Sequence, residues 1–211
     1  MNFLAHLFLA EPTDESRIGG ILADFTVGRI ETLEKQYGSG IARGIQLHRD
    51  IDRFTDTHPV VRNSIACLQP EQGMFAGIVV DVVYDYFLLK HWQRFTNEPV
   101  ETFLETAYTS LRRMEWDFPE TYRYAIPRMI ESNWLLSYRT LEGIHDALSR
   151  MSYRLNSRFP KGTSLHYAID CIRRCYDVLD RDFLEFFPKL IDFVRTLWQY
   201  SEYQDERFYE G

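Results

Sequence analysis

His48 and Asp52 stand four residues apart in the stretch Gln46-Leu-His-Arg-Asp-Ile-Asp-Arg-Phe-Thr-Asp56. On a helix they lie one turn apart and share a face. An imidazole and a carboxylate at that spacing can grip one metal ion; a surface His–Asp pair with a structural role is the competing reading. Asp50 points elsewhere on such a helix and is expected to be solvated. A second pair, Asp81 and Asp85, interrupts the otherwise apolar and aromatic run Ile78–Leu89. Two carboxylates there are costly to bury without partners, and the run offers no Lys or Arg before Lys90. The expected partner is a metal ion or an arginine from elsewhere in the chain. His6, in Leu4-Ala-His-Leu, and Asp24, in Ile21-Leu-Ala-Asp-Phe25, are each a polar group on an apolar stretch. A lone histidine of this kind is more often a satisfied core residue than a ligand. Four segments that each aim a His or Asp at the core are another matter, because converging helices with inward His and Asp groups build metal centres.

Ligand type sets the chemistry. Imidazole and carboxylate without thiolate suit Mn, Fe or Mg better than a structural zinc. A divalent ion with open positions lowers the pKa of bound water and neutralises phosphate oxygens. Hydrolysis of a phosphate ester is the fitting reaction class.

These residues need helices to position them, and helical periodicity dominates the chain. Asn2–Leu9 reads as a short apolar helix. Ser16 is placed to cap a second helix, running through Asp24 and Phe25. Gly38-Ser-Gly40 opens a third, about Ile41 to Phe54, which Thr55–Pro59 ends because a proline disfavours helix at the residue before it. Val60–Leu68 is a short helix and Gln69–Gln72 a loop. Met74–Phe95 is the longest apolar run. Its valines suit a strand by propensity, but its length and lack of turn signals favour a helix. Val100–Met114, Glu120–Ser132, Leu141–Leu155, Ser164–Asp180 and Asp182–Tyr200 are amphipathic. Pro119, Pro127, Pro160 and Pro188 punctuate this half, and Pro188 is expected to kink or end its helix. With no hairpin, repeat or linker in view, the 211 residues read as one all-α domain, a single-domain helical bundle over 1–211.

Composition narrows the class further. A net charge of −7 argues against a nucleic-acid partner. No stretch approaches the roughly 18 uncharged apolar residues of a membrane span, and Met1–Ala10 lacks the charged start of a signal peptide. Cys67, Cys171 and Cys175 are few and odd in number, which favours free thiols in a reducing compartment, hence a cytoplasmic protein. Cys171 and Cys175 sit one helical turn apart with no second Cys or His pair beside them, so buried thiols are expected there and not a zinc site.

Met1-Asn-Phe-Leu-Ala-His-Leu, Leu22-Ala-Asp-Phe, the His48-Arg-x-Ile-Asp52 stretch ending in Thr55-Asp56, Asp81 with Asp85-x-Phe-Leu, His91-Trp92 and Trp134-Leu-Leu-Ser-Tyr-Arg139 follow one another in order. In that combination, from residue 1 to about 155, the chain resembles the acyl-carrier-protein phosphodiesterases. Those are viewed as a divergent branch of the helical, Mn- or Mg-dependent HD-type phosphohydrolases. The adjacent His-Asp pair that names the HD group is missing, since Arg49 follows His48. The metal set is therefore taken from spacing and likeness together: Asp24, His48, Asp52 and Asp81 or Asp85, with His6 close by. The resemblance implies that water attacks the phosphorus joining 4′-phosphopantetheine to a serine of holo-acyl carrier protein, releasing apo-acyl carrier protein. A serine oxygen leaves poorly, so a general acid would help; His91 and His6 are both open for that role.

Such a carrier protein is strongly acidic. Arg150–Arg174 carries a net +5 and leaves −12 to the rest of the chain. Arg150, Arg154 and Arg158, at four-residue spacing, could form a basic ridge that steers an acidic partner; a solvated helix face explains them equally. Two rival functions remain. One is an HD-like hydrolase of a nucleotide or small phosphate ester, which needs no ridge. The other is a non-catalytic helical module that binds carrier protein, which leaves Asp81 and Asp85 unexplained.

Overall fold

The computed structural model describes residues 1–113, 118–156, 163 and 165–198, without the side chains of residues 154 and 156. These residues contain twelve α-helices and no strand. The first six are α1 (Phe3–Leu9), α2 (Asp14–Leu22), α3 (Ile30–Tyr37), α4 (Ser39–Thr57), α5 (Pro59–Gln72) and α6 (Ala76–Lys90). The others are α7 (Val100–Leu111), α8 (Glu120–Glu131), α9 (Trp134–Ser137), α10 (Leu141–Asn156), α11 (Ala168–Arg174) and α12 (Tyr176–Trp198). The protein is all-α, as its periodicity predicts.

At the centre stands α6. Val79, Val80, Val82, Val83, Tyr84, Phe87 and Leu88 are all buried, so the helix is apolar on nearly every side. A helix of that kind must be wrapped by neighbours, and α1, α5, α10 and α12 pack around it. Burying each large aliphatic or aromatic side chain contributes about 1.5–3 kcal/mol, which outweighs the strand preference of the valines. Residues 59–90 are long and apolar enough to cross a membrane, and α5 and α6 share that stretch. Gly73, at φ 56°, separates the two helices, and α5 packs on α6 with most of the stretch buried.

Several boundaries differ from expectation. Thr13, not Ser16, caps α2: its hydroxyl accepts from the Ser16 N–H, while the Ser16 hydroxyl accepts from the Glu11 N–H. That helix stops at Leu22, and Asp24 lies on the 3-10 turn Ala23–Phe25. An extra helix, α3, buries Leu33 and Tyr37 and ends at Gly38, whose φ of 85° favours glycine. Gln69–Gln72 belongs to α5, and α12 passes through Pro188 without ending. Burial of Phe186, Phe187, Leu190 and Ile191 on either side holds that segment helical despite the lost hydrogen bond. The break in 164–180 comes at Cys175, between α11 and α12.

The expectation of free thiols fails for two cysteines. Cys67 on α5 and Cys175 are joined in a disulfide across Cα atoms 6.2 Å apart, and Cys171 alone is free and buried. Packing of α5 against the α11–α12 junction brings together residues 108 positions apart, which local spacing does not reveal.

Candidate active site

The polar cluster forms where α1, α2, α4 and α6 converge. Close approach of α2 and α4 makes this possible. A Cβ on Gly19 would lie 2.2 Å from the Ile41 carbonyl oxygen, and one on Gly44 would lie 2.5 Å from that of Ser16. Only glycine allows that spacing. It brings the Gly20 carbonyl to 2.7 Å from His48 Nδ1. A carbonyl only accepts, so Nδ1 carries the proton and donates to it. The ring's other nitrogen, Nε2, is thereby aimed at two carboxylates: Asp52 Oδ2 at 3.1 Å and Asp24 Oδ1 at 3.7 Å.

Asp52 is the hub. Its Oδ1 lies 3.1 Å from His6 Nε2 and 3.2 Å from the Met1 ammonium. The same ammonium lies 3.0 Å from Asp81 Oδ1. The His6 and His48 rings stack with centroids 3.7 Å apart and planes 13° from parallel. Five of the predicted residues, His6, Asp24, His48, Asp52 and Asp81, thus meet in one place. The contacts that composition and spacing did not reveal are the Met1 ammonium and the Gly20 carbonyl. The Gly19-Gly20 pair was the only sequence signal for the second, and nothing marked the first.

Charge governs these groups. Burial alone would lower the Met1 ammonium, but Asp81 and Asp52 outweigh it and raise it to about 11. Burial and the neighbouring charge of His48 lower His6 to about 3, so its ring is neutral at physiological pH. Burial works against a charged His48 as well, but Asp52 and Asp24 prevail and raise it. Burial would raise Asp52, yet hydrogen bonds from His48 and His6 and the Met1 charge hold it well below the usual carboxylate range. Asp24 and Asp81 are raised, first by desolvation, although their side chains stay 45% and 35% accessible. Both carboxylates therefore remain open to an added cation.

The donor set fits a divalent ion. One ligand atom each from His6, His48 and Asp52 fall within 4.8 Å of one another. His6 is neutral, as a metal-binding imidazole must be, and an arriving ion would have to displace the Nε2 proton that His48 shares with Asp52. Its Nδ1 is buried without a hydrogen-bond partner. The Gly20 carbonyl orients His48 as second-layer acceptors orient metal-binding histidines.

Asp85 stands apart. Its two oxygens accept the Leu4 and Ala5 N–H groups, each at 3.0 Å. The partner expected to be a metal or an arginine is the unpaired N-terminus of α1, whose donors and dipole favour a carboxylate. Nor is His91 brought to the cluster. It caps α6 about 15 Å further along the helix axis from Asp81. There its Nε2 pairs with Asp180 Oδ1 at 2.5 Å. On α10, Arg150 is exposed, with its guanidinium 4.7 Å from the Trp134 ring. The Arg154 side chain and all of Arg158 lie outside the described residues.

Residues 1–190 match the family described as acyl carrier protein phosphodiesterase. The chain belongs to that family. Relatives carrying the same description include one from Pectobacterium atrosepticum, 32% identical over 197 residues, covering 93% of this chain and 98% of the relative. Another, from an Enterobacter species, is 32% identical over 192 residues, covering 90% and 96%. A third, from Photorhabdus laumondii, is 31% identical over 193 residues, covering 91% and 94%. No solved structure matches the chain. As a member of the acyl carrier protein phosphodiesterases the chain is a hydrolase of a phosphodiester, and every cluster residue falls inside the matched span.

Proposed function

We propose that this protein hydrolyses the phosphodiester between 4′-phosphopantetheine and the serine of holo-acyl carrier protein, and that it needs a divalent ion, Mn²⁺ before Mg²⁺. One observation carries the metal reading: Gly20 fixes His48 so that Nε2 faces Asp52 and Asp24, with neutral His6 stacked alongside. The ligands are His6, Asp24, His48, Asp52 and Asp81. Asp85 is not among them, because both its oxygens anchor α1. A divalent ion bound there would neutralise phosphate oxygens and make water a better nucleophile. The chain's own residues do the rest. Asp52 sets the spacing of the two imidazoles, and Gly20 holds the His48 proton on Nδ1. Asp24 and Asp81 keep the accessible side negative, so a phosphate would be repelled until a cation is bound.

The substrate class also fits the basic α10 segment. Arg150 is exposed on α10, and Arg154 and Arg158 follow it at four-residue spacing in the sequence, as a ridge for an acidic partner requires. We place the protein in the cytoplasm, with soluble carrier protein. Holo-carrier protein incubated with chelator-treated enzyme should keep its mass, and Mn²⁺ should restore loss of the phosphopantetheine arm. Full hydrolysis without metal would remove the metal from the proposal. Hydrolysis of a small phosphodiester with holo-carrier protein left intact would favour the small-ester reading.

A further inference from the structure

A cleft of about 800 Å³ opens between α8, α9 and α10, lined by Phe25, Tyr124, Trp134, Ser149, Arg150 and Tyr153 among others. That volume is in the range of small-molecule sites, roughly 300–1,000 Å³. Phe25 joins the lining of the cleft to the polar cluster. Phe25 directly follows Asp24 on the 3-10 turn. Phe3, three residues before His6 on α1, packs on both Phe25 and Trp134, with ring centroids 6.4 and 6.3 Å away. A ligand whose phosphate lies at Asp24 and His48 can therefore extend into the cleft past Phe25.

The lining has a mixed character. Its floor is aromatic, while Thr121, Ser149 and Arg150 place separated hydrogen-bonding groups along it. Tyr124 and Tyr153 line it while 62% and 83% exposed, and the Arg128 guanidinium lies 3.4 Å from the Tyr124 ring. Arg150 lies against Trp134 and so belongs to the cleft wall as well as to the surface. A plain hydrocarbon chain would leave the hydroxyls and the guanidinium without a use.

We infer that this cleft is the subsite for the pantetheine arm of the substrate, an apolar chain broken by two amides and ended by a thiol. The inference rests on the phosphodiesterase reading. It adds that the arm, and not only the carrier protein's surface, is recognised. The gem-dimethyl end nearest the phosphate packs on Phe25 and Trp134. The amides meet Ser149, Thr121 and the tyrosine hydroxyls.

Two measurements test it. Free pantetheine, which lacks the phosphate, is titrated into the full-length protein by isothermal calorimetry or saturation-transfer NMR. Holo-carrier protein is then hydrolysed by the wild type and by two cleft-filling variants, Ser149→Leu on α10 and Ala125→Leu on α8; their melting curves establish that each is folded. The expected result is pantetheine binding weakened at least tenfold in both variants, with KM for holo-carrier protein raised by a similar factor. If the wild type strips holo-carrier protein but binds no pantetheine, and both variants keep its KM, the cleft assignment is overturned and the activity stands. Self-association of the protein through Tyr124 and Tyr153 without pantetheine binding would overturn it likewise. If the wild type with Mn²⁺ leaves holo-carrier protein untouched, the activity fails first, and the arm subsite falls with it.

Discussion

Two His–Asp clusters lie toward opposite ends of α6, and their charge balance separates them. At the far end, His91 and Lys90 share Asp180, at 2.5 and 2.6 Å. Burial would raise that carboxyl, but hydrogen bonds from Lys90 and His91 keep it below the usual range. Lys90 also lies 4.7 Å from the Tyr176 ring. The Lys90 ammonium already matches the carboxylate, and the group fastens α6 to α12. At the near end, Asp24, Asp52 and Asp81 surround His6, His48 and the Met1 ammonium, and two of the three carboxylates are raised by desolvation. Here negative charge exceeds what the protein itself supplies to balance it. A His–Asp contact is common to both regions. Surplus carboxylate in a converging helical setting belongs to one, and that surplus is the demand for a cation.

The largest effects should come from the near cluster. His48→Ala or Asp52→Ala should lower turnover about a thousandfold, since an ion that stabilises a transition state is worth several kcal/mol and each 1.36 kcal/mol is tenfold. Far-UV circular dichroism should show the fold intact, and His91→Ala should stay within about threefold of the wild type in the same assay. A thousandfold loss in His91→Ala with little change in His48→Ala would invert the comparison.

Asp85 sharpens the boundary between site and scaffold. Burial raises its carboxyl from 3.8 to about 7, while the Leu4 and Ala5 N–H groups pull it down. The folded protein therefore keeps this proton through a range in which the unfolded chain has lost it. Stability from this group is unaffected below pH 4 and falls as pH climbs to 7, by at most about 4 kcal/mol. Asp85→Asn should flatten that decline in urea-unfolding midpoints and leave Mn²⁺ affinity unchanged. An unaltered pH slope, or lost metal affinity, would return Asp85 to the site.

A smaller effect is expected from Gly44→Ala. Its new methyl would meet the Ser16 carbonyl at 2.5 Å, pushing α2 from α4 and the Gly20 carbonyl from His48. We expect about 1–3 kcal/mol lost in chemical denaturation, together with a proportionally larger loss of turnover. The smallest effect belongs to Lys90→Met. Its partly exposed ion pair should be worth no more than about 1 kcal/mol, with no change in activity.

Much of this was legible in the chain. Apolar spacing revealed the helices that carry His6, His48 and Asp81, because burial of one stripe repeats every turn. The short helix α3 escaped, as two buried residues, Leu33 and Tyr37, make a faint stripe. Asp85 shows the limit most clearly. An apolar setting revealed that it must have a partner, but backbone N–H groups carry no side-chain signature, and so the end of α1 was invisible. The Cys67–Cys175 link and the Gly20–His48 hydrogen bond are contacts between distant segments, set by helix packing and not by spacing. Asp24 falls on a 3-10 turn because α2 stops at Leu22, and the stretch from Ile21 to Phe25 carries no glycine or proline to mark that stop.

The contrast between the two ends of α6 can be read directly from histidine ring resonances. Substoichiometric Mn²⁺ added to metal-free protein should broaden the His6 and His48 signals first and leave His91 sharp, and Asp52→Asn should abolish the selectivity. Broadening that begins at His91, or none at His6 and His48 while holo-carrier protein is still hydrolysed, would contradict a metal centre at this site.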